Sequence, residues 1–183
     1  MLQNEPTPQP DTESADLESG AGATGEVTWV LTGPDGEVKS SGTNHNTITQ
    51  VGDQVLAERA VGITTTAAAN GVKLGSGTTA EAKTGAGAGL VTYLPDSHIA
   101  LPTPTSSVVS NKRQLVFTAV WPAGKATAAG NITEAAIVND YASGTNATST
   151  AANTLARVIL TPTVPSKAAG DSLTLTWTWN IGT

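Results

Sequence analysis

Ten residues near the end of the sequence, 172–181, alternate without interruption between large apolar and polar side chains. Leucine, tryptophan and isoleucine occupy the odd-numbered positions, whereas serine, threonine and asparagine occupy the even-numbered ones. A period of two is typical of a β-strand with one buried and one exposed face. Seven other segments are predicted as strands, from similar alternation or from short apolar runs: 26–32, 37–43, 72–75, 98–101, 113–121, 131–139 and 153–161.

The first two of these strands are joined by a turn, and a helix follows them. Gly33-Pro34-Asp35-Gly36 predicts a hairpin over 26–43, because proline presets φ at the second position of a turn and glycine accepts a positive φ. Residues 50–61 repeat apolar side chains at helical spacing instead. We expect one short helix here, capped by Thr49 and ended by Gly62.

Short strands about 8–20 residues apart, together with one short helix, predict an all-β fold. We expect an antiparallel β-sandwich, of jelly-roll or Ig-like type, preceded by an extended N-terminal arm; a closed barrel is the architectural alternative. The segments 76–97 and 140–152 exceed ordinary hairpin connections, and loops of that length are usually functional or mobile.

Few residues are large enough to form the core of this fold. The chain has 30 threonines, 27 alanines and 19 glycines, but only four tryptophans, two tyrosines and one phenylalanine. Aromatic side chains on the predicted strands supply the missing volume. The expected core anchors are Trp29, Phe117, Trp121, Trp177 and Trp179. Alternatively, Trp177 and Trp179 lie on an exposed face, where they would stack on sugar rings or anchor a partner.

The first 25 residues differ from the rest in charge. They contain five acidic residues and no lysine or arginine, whereas residues 26–183 contain ten acidic and nine basic residues. Three prolines, a glycine-rich stretch at 20–25 and few large apolar residues predict a segment that is disordered in isolation. We therefore divide the chain into an acidic docking arm, 1–25, and a body, 26–183. The arm residues expected to bind a partner subunit are Leu2, Glu5, Asp11, Glu13, Asp16, Leu17 and Glu18.

Residues that could carry chemistry are few and scattered. The chain has no cysteine, and its two histidines, His45 and His98, have no neighbouring ligands at metal-binding spacing. No Gly-x-Ser-x-Gly motif marks a nucleophile. The carboxylates that a glycosidase could pair show no evident grouping: Asp96, Glu134, Asp140 and Asp171. We therefore expect no catalytic residue, no cofactor and no metal ion; the enzymatic alternative is a polysaccharide-cleaving enzyme with a cleft that gathers acidic residues.

Nucleic acids and membranes are not expected partners either. The basic residues are dispersed, and phosphate groups would repel the acidic arm. The sequence opens without a charged-then-apolar leader and contains no apolar run long enough to span a bilayer, so neither a signal peptide nor a membrane span is expected.

Four segments, in their order along the chain, resemble a known structural module. They are Val72-Lys73-Leu74-Gly75-Ser76-Gly77-Thr78-Thr79, Ile132-Thr133-Glu134-Ala135-Ala136-Ile137-Val138, Leu155-Ala156-Arg157 and Gly170-Asp171-Ser172-Leu173-Thr174-Leu175-Thr176-Trp177. Together they are similar to a β-rich module of tailed-bacteriophage virion proteins of the tail-fibre or capsid-decoration type. The resemblance covers roughly residues 72–181 and breaks at 84–89, where a glycine and alanine run replaces a short acidic and apolar segment.

The resemblance implies a non-enzymatic virion structural protein, made in the host cytoplasm and located on the particle surface. We favour a capsid decoration, or cement, protein that binds the major capsid protein or other virion subunits through its body and arm, because no long fibrous repeat is present. A short tail-fibre or tail-attachment protein is the alternative, and a carbohydrate-binding module is a more remote one. The expected assembly is a homo-oligomer, a trimer by analogy.

Overall fold

The computed structural model describes residues 22–141 and 148–182, which form nine β-strands, one α-helix and two short 3-10 turns. The strands are β1 (Ala23–Thr32), β2 (Val38–Ile48), β3 (Gly71–Gly75), β4 (Ile99–Ala100), β5 (Thr105–Val109), β6 (Lys112–Trp121), β7 (Ile132–Val138), β8 (Thr154–Val164) and β9 (Ser172–Ile181). The helix α1 spans Gln50–Ala60, and the 3-10 turns span Gly85–Ala88 and Ala151–Asn153. The prediction of an all-β fold with one short helix is confirmed.

The nine strands form one antiparallel sheet in the order β4-β3-β7-β8-β2-β1-β9-β6-β5. The sheet curls into a half-barrel and does not form the clear two-sheet sandwich that the sequence predicts. We call β5, β6, β9, β1 and β2 the β1 half, and β8, β7, β3 and β4 the β7 half. Strand β2 connects them, because it pairs with β1 along its length and with β8 at one end.

The junction between the two halves explains the curl. Only Thr47 and Ile48 of β2 pair with β8. Beyond them the strands separate, and side chains bridge the gap. The Glu81 carboxylate accepts the Thr47 N–H at 3.0 Å and also the N–H of Ile159, while Asn44 Nδ2 donates to the Thr161 carbonyl at 2.7 Å. These side-chain bonds satisfy strand groups that a continuous ladder would otherwise pair.

The core fills the concave side of the sheet. Trp29, Trp121 and Trp177 are completely buried there, and the Phe117 ring stacks on Trp177 with 6.1 Å between the ring centroids. Trp179 departs from the expected core anchors, since it is only partly buried and packs against the edge of the cluster. Its position near the end of β9, where the concave side opens, accounts for the difference.

Helix α1 has the predicted termini. Thr49 Oγ1 accepts the Gly52 N–H at 3.2 Å, which caps the first turn. At the other end Gly62 has a φ of +77°, and the Ile63 N–H donates to the Glu58 carbonyl at 2.8 Å, as in a Schellman motif. The buried positions of the helix are Gly52 and Val55, with Val51 partly buried against the core.

Several strand bounds differ from the prediction, since β2 continues to Ile48 instead of ending at 43 and β8 continues to Val164 instead of ending at 161. Strand β1 begins at Ala23, three residues before the start of the strand predicted at 26–32. Strand β5 was not predicted, because all of its residues are exposed and its sequence shows no apolar alternation. It pairs with β6 through a tight turn at Ser110 and Asn111, whose φ angles of 49° and 64° match a two-residue hairpin.

Among the described residues, no helix is long and apolar enough to cross a membrane.

Candidate functional site

The predicted docking residues, Leu2 to Glu18, lie outside the described residues. What the structure shows is where the arm joins the body. The last three residues of the predicted glycine-rich hinge, Ala23 to Gly25, are part of β1 and pair with β9, with Ala23 opposite Ile181. Gly182 N–H donates to the Gly22 carbonyl at 3.3 Å. The arm therefore leaves the body beside the end of β9, and we call this region the arm-exit end.

An open groove of about 560 Å³ lies at the arm-exit end, between α1 and the concave side of the sheet. Most of its lining is small or apolar, and its lining residues are Gly22, Ala23, Asp53, Leu56, Ala57, Ala60, Lys83 and Ile181. The charged residues among them, Lys83 and Asp53, form an ion pair with each other. The groove thus presents an apolar floor with its charges already matched, a surface suited to an apolar side chain of a partner.

Two cations at the same end have no carboxylate partner among the described residues. Five of the nine basic side chains form ion pairs. Arg59 and Lys167 donate to backbone carbonyls. This leaves Lys112 and Arg113, at the start of β6. Arg113 lies opposite Ile181 in the sheet, and the contact of its guanidinium that the structure shows is with Ser106 Oγ at 3.4 Å.

The convex face of the β1 half is open and largely uncharged. Its central row consists of threonines on four neighbouring strands, Thr43, Thr28, Thr176 and Thr118. The hydroxyl oxygens of Thr28 and Thr43 are 3.3 Å apart, and those of Thr118 and Thr176 are 3.2 Å apart. Such cross-strand pairs hold the face in one arrangement. We call this row and its neighbours the threonine face.

The convex face of the β7 half is covered by the segment 76–97, which an ion pair holds in place. Glu134 of β7 and Arg157 of β8 are both completely buried, with Arg157 Nε 2.8 Å from Glu134 Oε2. The Glu134 carboxylate also accepts backbone N–H groups of Gly77 (2.9 Å), Val91 (3.1 Å) and Thr92 (2.8 Å). Arg157 Nη1 donates to the carbonyls of two further loop residues, Thr79 (2.8 Å) and Gly87 (3.1 Å).

Two glycines of the first segment that resembles the virion module, Gly75 and Gly77, make room for the Glu134 carboxylate. A Cβ added at Gly75 or Gly77 would lie 2.5 Å from Glu134 Oε1, closer than any side chain tolerates. The charged residues in three of the four segments that resemble the virion module, Lys73, Glu134 and Arg157, are thus buried within the body. In this chain they hold segments of the protein together.

A second buried cluster lies under the segment that follows β7. Lys73 Nζ, on β3, donates to Asp140 Oδ1 at 3.1 Å and to Ser149 Oγ at 2.9 Å. Ser149 Oγ donates to the same Asp140 oxygen at 2.7 Å, and Asn153 Nδ2 donates to Asp140 Oδ2 at 3.1 Å. Lys73 is completely buried, and the Asp140 side chain is 13% exposed. We call these four residues the Lys73 cluster.

The four carboxylates considered for glycoside cleavage are not brought together. Each binds a different cation: Asp96 binds Lys125, Glu134 binds Arg157, Asp140 binds Lys73 and Asp171 binds Lys39. A hydrogen bond from Lys39 holds the pKa of Asp171 below its ordinary value, and one from Lys125 does the same to the pKa of Asp96.

Within the described ranges, no three histidine or acidic side chains are grouped as metal ligands. His98 Nδ1 lies 2.7 Å from the Tyr93 hydroxyl.

The buried charges were the feature that sequence reasoning did not use. Lys73 lies between Val72 and Leu74, and Arg157 interrupts an apolar strand. A single charge within an otherwise apolar strand indicates a buried partner, because an unpaired charge is too costly to bury. That signal identifies the residues, but it does not say which carboxylate each one meets.

No protein-family model matches this chain, and neither a curated protein nor a solved structure gives a significant match.

Proposed function

We propose that this protein is a non-enzymatic capsid decoration protein of a tailed bacteriophage, which binds the major capsid protein through its arm and its body. The observation that carries the proposal is the arm-exit end. There a strongly acidic segment joins the sheet beside an apolar groove and two cations that have no carboxylate partner among the described residues. A short tail-attachment protein would use the same parts in another place on the particle and is the second candidate.

The arm supplies charge and reach. Its five carboxylates are suited to arginine or lysine side chains of a neighbouring subunit, and Leu2 and Leu17 are its large apolar side chains apart from Met1. A segment that orders on binding covers a large area at modest affinity per unit of surface. Many copies on one particle would then bind with high avidity.

The body supplies a contact surface on its convex side. The threonine face is broad and lacks charge at its centre, so it can approach another protein without stripping water from ions. Hydroxyl groups can form hydrogen bonds to a partner, and the valines beside them add apolar area: Val120 is 46% exposed. We assign this face to contact with the shell or with neighbouring copies in a homo-oligomer, for which we propose a trimer.

The rival classes have less support in the geometry. A glycan-stacking module needs an open pair of tryptophans, but Trp177 is completely buried and Trp179 partly so. A polysaccharide-cleaving enzyme needs two carboxylates facing one cleft, whereas each of the four candidates is bound to its own cation.

The deciding experiment compares three forms of the protein on phage particles that lack it. The first is the full chain, and the second lacks residues 2–21, a deletion that leaves β1 intact. The third carries the five acidic arm residues changed to their amides, listed as Glu5→Gln, Asp11→Asn, Glu13→Gln, Asp16→Asn and Glu18→Gln. Cryo-imaging of labelled protein should show the full chain on the shell at high occupancy and the deletion absent.

The amide variant distinguishes charge from apolar contact. If charge drives docking, the amide variant occupies fewer sites on the shell than the full chain, and the occupancy of the full chain declines as the salt concentration rises. A matched variant with Leu2→Ser and Leu17→Ser keeps the charge and tests the apolar contribution. Label found on the tail would replace the decoration role by tail attachment. Full occupancy of the shell by the arm deletion would refute docking through the arm.

A further inference from the structure

Lys73 differs from the other lysines of this chain in its surroundings. It is completely buried, and its Nζ touches a carboxyl group, Asp140. Lys167 is equally buried, but its Nζ donates to the backbone carbonyls of Pro122 and Asp171. The other lysines that pair with carboxylates, at positions 39, 83 and 125, are 30% to 62% exposed.

We propose that Lys73 and Asp140 form an intramolecular amide bond, made by the protein itself after it folds. The Lys73 cluster holds the amine, the carboxyl group and two hydrogen-bonding side chains together in one site, in which Lys73 and Ser149 are buried and the Asp140 side chain is 13% exposed. Holding reacting groups in contact replaces a bimolecular encounter by an intramolecular one, which is equivalent to an effective concentration of about 10⁵–10⁸ M.

Burial removes the usual obstacle to this condensation. In water an amine and a carboxylic acid exchange a proton and remain as solvated ions, which do not condense. An ion pair taken out of water loses that solvation and recovers only part of it from mutual attraction. Forming the amide removes both charges from the interior and releases one water molecule. The Tyr93 ring, whose centroid is 5.8 Å from Lys73 Nζ, forms part of the surrounding wall.

The hydrogen bonds of the cluster provide a route for each proton. Transfer of one proton from Lys73 to Asp140 gives the amine and the carboxylic acid. Nζ then attacks Cγ while Ser149, which touches both Nζ and Oδ1, carries a second proton from Nζ to Oδ1. The Cγ–Oδ1 bond breaks, and Oδ1 leaves as water.

Asn153 assists at the other carboxyl oxygen. Its Nδ2 donates to Oδ2 at 3.1 Å, where negative charge develops during the attack. Oδ2 becomes the oxygen of the new amide, and the same hydrogen bond is kept in the product. Lys73 and Asp140 are therefore the reacting groups, Ser149 is the proton relay and Asn153 stabilises the oxyanion.

An enzyme site on external substrates is a poorer explanation of the same residues. Lys73 is completely buried and Ser149 is 1% exposed, so neither can reach a substrate in solution. Among the described residues, the electrophile that contacts this amine is the carboxyl group of Asp140. The amide would tie β3 to the segment following β7 and would close a loop running from Lys73 to Asp140, which restricts the unfolded chain as a disulfide does.

Intact-mass spectrometry of the purified full chain tests the proposal. We expect a mass lower than the sequence mass by one water molecule, after allowance for removal of Met1. Protease digestion should release one branched peptide that joins the Lys73 and Asp140 segments, and tandem mass spectrometry locates its branch. The full sequence mass, persisting after prolonged incubation of folded protein, would overturn the proposal.

Two variants distinguish formation of the Lys73–Asp140 amide from other reactions that release water. Lys73→Arg keeps the buried charge but cannot form this amide, so it should have the full mass and should migrate more slowly in a denaturing gel. Lys125→Arg makes the same change in the exposed ion pair with Asp96 and should keep the deficit. A deficit that persists in Lys73→Arg would mean dehydration elsewhere, such as a succinimide, and would also overturn the proposal.

Further variants test the assigned roles. Asp140→Ala should have the full mass expected for its sequence, and Ser149→Ala should form the bond at least tenfold more slowly. The branched peptide of the unaltered chain does not depend on any variant folding. Bond formation at an unchanged rate in Ser149→Ala would overturn the relay role of Ser149.

Discussion

Arg157 Nε lies 2.8 Å from Glu134 Oε2, and both side chains are completely buried beneath the segment 76–97. The pair joins two neighbouring strands to a covering loop, since Glu134 accepts three backbone N–H groups from that loop. A loop held in this way is part of the folded body. Gly77 of this loop packs directly against the Glu134 carboxylate, and Gly87 packs against Ala80 and Ala82, which is a different use of glycine from that in a flexible linker.

Glu134→Ala should therefore destabilise the protein strongly. Removing one partner leaves Arg157 buried without its counter-charge, a change that costs about 3–5 kcal/mol. Glu134→Gln should cost less, because its amide oxygen can still accept the loop N–H groups. Urea denaturation measures both, with Lys125→Ala in an exposed ion pair as the control. A similar midpoint for Glu134→Ala and Lys125→Ala would show that the buried pair is not needed.

Gly42→Ala should destabilise the β1 half through a steric clash. A Cβ at this position would lie 2.7 Å from Trp29 Nε1 and 2.9 Å from Cε2, on a ring that is completely buried. Overfilling a packed core costs about 1–3 kcal/mol. Gly130→Ala is the matched control, because nothing lies within 4 Å of its added methyl group. Equal stabilities of the two variants, measured by denaturation, would contradict the close packing of Trp29 on β2.

Thr49→Ala should weaken the attachment of α1 to the sheet. The Thr49 hydroxyl accepts the Gly52 N–H and donates to the carbonyl of Thr154 in β8. Loss of a helix cap costs about 0.5–2 kcal/mol, and the buried Thr154 carbonyl would also lose its donor. Thr49→Ser retains the hydroxyl and should stay close to the unaltered protein. Denaturation measures the loss of stability in both variants. Hydrogen exchange of the Gly52 amide, which Thr49 caps, should become faster in Thr49→Ala and should stay unchanged in Thr49→Ser.

Stability should fall in acid partly through Glu58. Hydrogen bonds from Gln54 and from the Thr66 backbone lower the pKa of Glu58 from its ordinary value of 4.5 to about 2. As the pH falls below 4.5, the unfolded chain takes up a proton before the folded one does, so the contribution of Glu58 is full above pH 4.5 and is lost towards pH 2. Glu58→Gln should show a shallower loss of stability across that range. Identical pH profiles for both proteins would show that Glu58 titrates alike in the folded and unfolded chains.

Local sequence patterns predicted α1 and most of the strands. The order of the strands in the sheet depends on long-range pairing, which such patterns do not show. The alternation at 172–181 and the capping signals around 50–61 are properties of neighbouring residues, and the corresponding β9 and α1 were found. The single curled sheet depends on two residue pairs between β2 and β8, together with the bridging carboxylate of Glu81. Nothing local to either strand marks that contact.

The candidate site shows the same limit. The acidic segment was visible from composition alone, but the first strand was predicted to start three residues too late, because Ala23 to Gly25 resemble a flexible hinge. Their small side chains fit a paired strand, and the Asn46 side chain packs against Gly25, where a Cβ would lie 1.7 Å from its Oδ1. The ion pairs of Lys73 and Arg157 required the sheet order, which joins β3, β7 and β8.

The hydrogen bond between Gly182 and Gly22 has a practical consequence for engineering this protein. A reporter fused at the end of β9 would emerge beside Gly22 and would obstruct the proposed docking of the arm. The turn at Gly33-Pro34-Asp35-Gly36 lies at the other end of β1, and its last three residues, Pro34 to Gly36, are exposed. Insertions there should leave the arm free, and a short peptide linking residues 22 and 182 should permit a circular permutant opened at that turn.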